Sequence, residues 1–113
     1  MTNIENIKLE IIKQLKPLNI DRIVLFGSHA YGKPHQDSDI DLYVVTNDDF
    51  MPQSWREKSK IYLKIANRLD DIMSTTPVDL IVHTKQMYQK FKELNSSFYK
   101  NDILRGQVLW QQN

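Results

Sequence analysis

The sequence predicts a small α/β domain in which flanking helices cover a mixed β-sheet. Apolar residues recur at steps of three and four in two long stretches, the period of one helix face. Short β-branched runs bounded by turn residues lie between and after those stretches. The connection between the first two runs is short, which suggests a mixed rather than a purely parallel sheet.

Ile4, Ile7, Ile11, Leu15 and Leu18 line one helix face, Thr2 and Glu5 fit a capping box, and Pro17 ends the helix, placed at about 3–16. Arg22 to Phe26 forms a buried strand ended by Gly27. Ser28 to Lys33 is a turn or one helical turn closed by Gly32, and Pro34 to Ser38 is a polar loop. Asp39 to Val45 forms a second strand, acidic at its start and apolar after it. Ser54 and Glu57 repeat the capping pattern before a helix of about 54–72, with Thr75-Thr76-Pro77 as breaker. Val78 to Val82 forms a third strand, and Thr84 caps a helix carrying Met87, Tyr88, Phe91 and Leu94. Asn95-Ser96-Ser97 interrupts that helix before Phe98 to Leu104. Gly106 stops it, and Val108 to Trp110 forms a terminal strand or a docking tail.

The chain has 113 residues and a net charge of +1 at pH 7. That length suits one small domain burying about two-thirds of its unfolded surface, with no separate substrate or lid domain. Near-neutral charge argues against a protein devoted to gripping a long nucleic acid. There is no Cys, which excludes disulfides, zinc–thiolate sites and a cysteine nucleophile. The start MTNIENIKLEIIKQLK lacks the apolar core of a signal peptide, and no stretch approaches the ~20 apolar residues of a membrane span. A soluble, cytoplasmic protein with no membrane partner is expected.

The chemistry concentrates in three places. Asp39 and Asp41 stand two apart on a strand and point to one face, about 6–7 Å apart. Two carboxylates on a partly buried face repel unless a cation joins them. Asp79 interrupts an otherwise apolar third strand and joins them if that strand lies beside the second. Three converging carboxylates suit a hard divalent cation, with Mg²⁺ favoured where phosphates complete its shell. Gly27-Ser28 ends the first strand before a turn whose backbone N–H groups can cradle a phosphate.

Each signal alone has a plainer explanation: a turn, a solvated strand end, an exposed strand position. Asp37, Asp39 and Asp41 also match the first ligands of an EF-hand loop, but Leu42 replaces its glycine and Asp48 its final glutamate. His35, His83 and the Arg56, Lys58, Lys60, Lys64 series are expected to be solvated or structural. Trp55, Tyr62 and Phe91 are expected in the core or an interface.

The combination is more specific than its parts. Gly27-Ser28, the Asp39-x-Asp41 pair ten residues on, and Asp79 inside VDLI resemble the nucleotidyltransferase signature of the DNA polymerase β superfamily. The resemblance runs from about residue 5 to 110. The size and the tail SSFYKNDILRGQVLW are similar to minimal nucleotidyltransferases, the MNT antitoxins paired with HEPN toxins. It implies a palm-like fold with residues 1–113 as one minimal domain. Asp39, Asp41 and Asp79 would be catalytic and ligate two Mg²⁺ ions, and Gly27 and Ser28 would hold the phosphates of ATP. The implied reaction moves AMP, or another NMP, to a hydroxyl, most directly a tyrosine of a HEPN toxin. An acceptor carried by another molecule leaves room for a homo- or hetero-oligomer.

Related chains often carry Arg where His29 and Tyr31 stand here, which lessens the positive charge available to a triphosphate. Two other functions follow from that departure and from the family's breadth. One is an antitoxin that works by covering its partner without catalysis. The other is nucleotidylation of a small molecule, although relatives of that kind carry a helical domain this chain lacks.

Overall fold

Helix α1 (Ile4–Leu15) forms because Ile7, Ile11 and Leu15 recur every four residues and bury one stripe. Pro17 sits in the first turn of a 3₁₀ segment, Lys16–Leu18, where its missing N–H costs nothing. A computed structural model describes residues 4–27, 29–30 and 39–112. Thr2 lies outside the described residues, as do Ser28, Tyr31, Lys33 and His35.

The sheet contains β1 (Ile20–Phe26), β2 (Ile40–Thr46), β3 (Val78–His83) and β4 (Gln107–Gln111) in the order β3-β2-β1-β4. Strands β1 and β2 are antiparallel, β2 and β3 parallel, and β4 lies antiparallel on β1. The expected mixed sheet is present, and the C-terminal tail is its fourth strand. Between β2 and β3 run α2 (Trp55–Arg68) and α3 (Asp70–Thr75). Then α4 (Lys85–Leu94) and a π-helical turn, Tyr99–Ile103, lead to β4.

Helices cover both faces of the sheet. On one, Ile23, Leu25, Leu42, Val44 and Leu80 pack against Ile11 and Leu15 of α1 and Ile65 of α2. On the other, Val24, Phe26, Tyr43 and Val45 pack against Tyr88 of α4 and Ile103 of the π-turn. Coverage on both sides explains why β1 and β2 read as nearly continuous apolar runs instead of alternating. Consecutive side chains in a strand point to opposite faces, so Asp41, two before Tyr43, belongs to the α4 side.

One expectation needs correction, and a second, that Trp55 and Tyr62 lie in the core or an interface, loses its first half. The helix of about 54–72 is two helices, because the chain turns at Leu69 (φ −99°, ψ 10°) and buries that side chain in the α1 face. Asp70 and Asp71 then open α3, where carboxylates complement the helix dipole. Trp55 and Tyr62 are not core. Trp55 is 82% exposed and Tyr62 36%. Of the three aromatics, only Phe91 packs into a core cluster.

Caps form where the sequence places them. Ser54 Oγ accepts from the Glu57 N–H, while the Glu57 carboxylate accepts from the Gln53 N–H, one residue outside the ideal box. Thr84 Oγ1 accepts from the Met87 N–H and donates to the Phe50 carbonyl, tying α4 to the β2–α2 connection. Asn95, in the left-handed region, ends α4.

Candidate active site

Asp41 and Asp79 are register partners on adjacent parallel strands. Neighbouring strands lie about 4.8 Å apart, so the two carboxylates start side by side on the α4 face. Asp39 stands one residue before β2 and is exposed, as is Asp79, while Asp41 is half-buried. On the other side Asp41 is in register with Phe26, the last residue of β1. Gly27 follows at φ +76°, and its carbonyl accepts from the Ala30 N–H in a tight turn. A Cβ at Gly27 would collide with Asp41 Oδ2, so the turn fits against the carboxylate only because it has no side chain.

The electrostatics match that geometry. Partial burial, then the Asp79 and Asp39 carboxylates, hold the Asp41 carboxyl above the usual carboxylate range. His29 pulls it down, so its imidazole lies near enough to act on this carboxylate. Asp102 raises it further. Sequence reasoning did not single out Asp102, because only the packing of the π-turn on β1 brings it toward β2, 61 positions earlier in the chain.

Among the described residues, no three His, Cys, Asp or Glu side chains are gathered closely enough to make a ready metal shell. The donor set of Asp39, Asp41 and Asp79 is nevertheless all carboxylate oxygen, which fits a hard divalent cation. Like charges without a counter-ion favour separation, so the set is one a cation would draw together. Ser28 and the stretch from Tyr31 to Ser38 lie outside the described residues, so of the phosphate cradle only Gly27 can be placed.

Further along β2 and β3, buried Tyr43 meets half-buried His83. The Tyr43 hydroxyl and His83 Nδ1 share a 2.7 Å hydrogen bond, and Phe91 packs edge-on against the imidazole. Burial and the Tyr88 hydroxyl push the Tyr43 phenol up, and burial lowers His83 from 6.5 to about 4. His83 is thus a structural strand-end residue. Between pH 4 and 6.5 the unfolded chain binds a proton that the folded chain refuses. The contribution of His83 to stability is therefore full above about 6.5 and falls as pH drops through that window. At about 1.4 kcal/mol per pH unit the loss approaches about 3 kcal/mol. Urea melts from pH 7.5 to 4.5 should show this fall in the wild type and a much flatter profile in His83→Gln. Equal slopes would refute the assignment.

An open cavity of about 440 Å³ is lined by Arg22, Asp49, Lys85, Gln86, Tyr88 and Lys90, among others. None of the three aspartates lines it. Arg22 is already committed there, donating to Asp21 and the Tyr88 hydroxyl. Among the described residues, no helix is long and apolar enough to cross a membrane.

Residues 6–112 match the family model for "Polymerase beta, Nucleotidyltransferase". The chain is 31% identical over 91 residues to the "putative protein adenylyltransferase MJ0604" of Methanocaldococcus jannaschii, covering 80% of this chain and 79% of that protein. It is 40% identical over 67 residues to "putative protein adenylyltransferase MJ0141" of the same organism, covering 53% of this chain and 64% of that one. A crystal structure of a toxin–antitoxin with AMP-PNP superimposes with a TM-score of 0.52 at 24% identity, over 94% of this chain and 74% of that one. The last comparison concerns fold.

Proposed function

The chain belongs to the polymerase β nucleotidyltransferase family, and from that premise we propose that it moves AMP from ATP to a hydroxyl on a partner protein. A tyrosine of a HEPN toxin is the favoured acceptor, and transfer silences that toxin in the cytoplasm. The observation that carries this is the alignment of Asp41 with Asp79 across adjacent strands, beside the Gly27 turn. The curated relatives, named for protein adenylylation, support a protein acceptor. The fold neighbour with AMP-PNP fits an adenine triphosphate. Residues 1–113 act as one minimal domain that supplies the nucleotide half of the site.

Asp39, Asp41 and Asp79 would hold Mg²⁺, two ions in the full site. When bound, the metal supplies charge neutralisation to the triphosphate and the leaving pyrophosphate. Asp41 and Asp39 would hold the cation at the end of β2, where its charge would attract the triphosphate. Gly27 and Ser28 offer backbone and hydroxyl donors to the β- and γ-phosphates, and Gly27 keeps the turn against the Asp41 carboxylate. Asp79 faces the acceptor side and takes the proton as the hydroxyl oxygen attacks the α-phosphorus. The new P–O bond forms in line as the bond to the pyrophosphate oxygen breaks. The chain's contribution is positioning and fixed charge.

The test is α-labelled ATP and Mg²⁺ with the protein encoded in the neighbouring reading frame. Label should enter that protein, and Asp39→Asn/Asp41→Asn should abolish it. A partner that stays unlabelled defeats the proposal. The His29 and Tyr31 departures favour a second reading, neutralisation by complex formation alone. It prevails if the double variant still protects cells from the toxin as well as wild type.

A further inference from the structure

Helix α2 leaves an outward face that the core does not use. Ile61 and Ile65 turn inward, and Ile65 joins the cluster on the α1 side of the sheet. Trp55 and Tyr62 are seven residues apart, two turns, and so lie in one line along the helix. Leu63 lies beside Tyr62 and is 51% exposed. Flanking this strip, Arg56, Lys60 and Lys64 recur every four residues and form a continuous basic row. All three are exposed, and among the described residues no ion pair holds any of them. Arg68, next in the row, donates to the Gln14 carbonyl of α1. The helix has five basic residues and one acid in a chain of net charge +1, so the remainder is net acidic. The row is therefore a local charge feature.

We propose that this face of α2 is a docking surface for a partner protein that presents an acidic surface around an apolar hollow, with Trp55 as the anchor. An exposed tryptophan, with exposed Tyr62 on its line and Arg56 and Lys60 to one side, has the composition of an interface hot spot. The basic row supplies complementarity and attraction for an acidic surface. A second copy of the chain does not fit, because a two-fold contact would set basic row against basic row. A long nucleic acid is disfavoured by the net charge and by three exposed apolar side chains that phosphates do not need. The face lies across the sheet from Asp41 and Asp79, which belong to the α4 side. A protein held here leaves the catalytic face open. The surface recruits a partner, and the hydroxyl enters the site from elsewhere on it or from another subunit. From the proposed function this takes only that the partner is a protein.

The probe is the purified protein from the neighbouring reading frame, titrated calorimetrically into the full chain. Trp55→Ala should weaken binding by at least about tenfold and Trp55→Phe should restore most of it. Lys60→Glu/Lys64→Glu should weaken it comparably and remove its salt dependence. Asp41→Asn should bind like wild type. Circular dichroism should show the α2 variants folded, since their altered side chains are exposed, and Asp41→Asn folded, since the amide keeps the shape of the carboxyl. Wild-type affinity in both α2 variants, with label transfer intact, overturns the docking surface and leaves the enzymatic proposal standing. Trp55-dependent binding without label transfer does the reverse. No binding by wild type, or α2-dependent binding of a 20-nucleotide RNA or of phosphatidylserine vesicles in place of the protein, overturns the proposal.

Discussion

Asp41→Asn should reduce nucleotide transfer by at least about 10²-fold while leaving the fold as stable as wild type or more so in the absence of metal. The two outcomes share one cause. Asp41 is half-buried beside two other carboxylates, and burial and those neighbours hold its carboxyl above the usual carboxylate range. Because the folded pKa lies above the unfolded one, the native state keeps an extra proton in that window. The group therefore weakens stability as pH rises through it and leaves a residual cost at neutral pH. An amide of the same shape removes the cost and also removes the charge that a cation needs. Thermal melts with and without Mg²⁺ separate the roles. Mg²⁺ should raise the wild-type midpoint, as any ligand of the native state does, and leave the variant unmoved. A variant that melts well below wild type without metal would make Asp41 a structural residue. One that transfers at the wild-type rate would remove it from catalysis.

Gly27→Ala should cost about 1–3 kcal/mol of stability and lower transfer by at least about tenfold. Two penalties combine. The backbone sits at φ +76°, where any side chain is strained, and the new Cβ would overlap Asp41 Oδ2. The β1 turn or the carboxylate must then move, and either displacement spoils the site. A double-mutant cycle isolates the clash. Asp41→Ala removes the colliding oxygen, so Gly27→Ala should be milder in that background, with only the φ strain left. Strictly additive stability losses would show that Gly27 and Asp41 do not press on each other.

The first, second and third strands, α1 and α4 were legible because each rests on local rules. Apolar spacing sets α1, β-branched runs set β1 to β3, and Thr84 starts α4 with its own hydroxyl. The break at Leu69 was not legible. Its residues continue the helical spacing, and only the need to bury Leu69 against α1 turns the chain. Trp55 misled for a related reason. Its spacing is that of a helix face, but spacing cannot say which face of α2 the sheet covers.

At the site the division is similar. Asp39, Asp41 and Asp79 stood out because acids are out of place in apolar strands, a fact about composition alone. Gly27 stood out as the end of a strand. Distance in space was beyond the sequence. The parallel pairing of β2 with β3 puts Asp79 next to Asp41 across 38 positions of chain. The turn after β1 presses Gly27 onto that carboxylate, and the π-turn brings Asp102 toward it. Local patterns decide which residue types sit on which element, because propensity, capping and period act over a few residues. Which charges meet is decided by strand order and helix packing, because electrostatic coupling depends on separation in space and burial, and both belong to the assembled sheet.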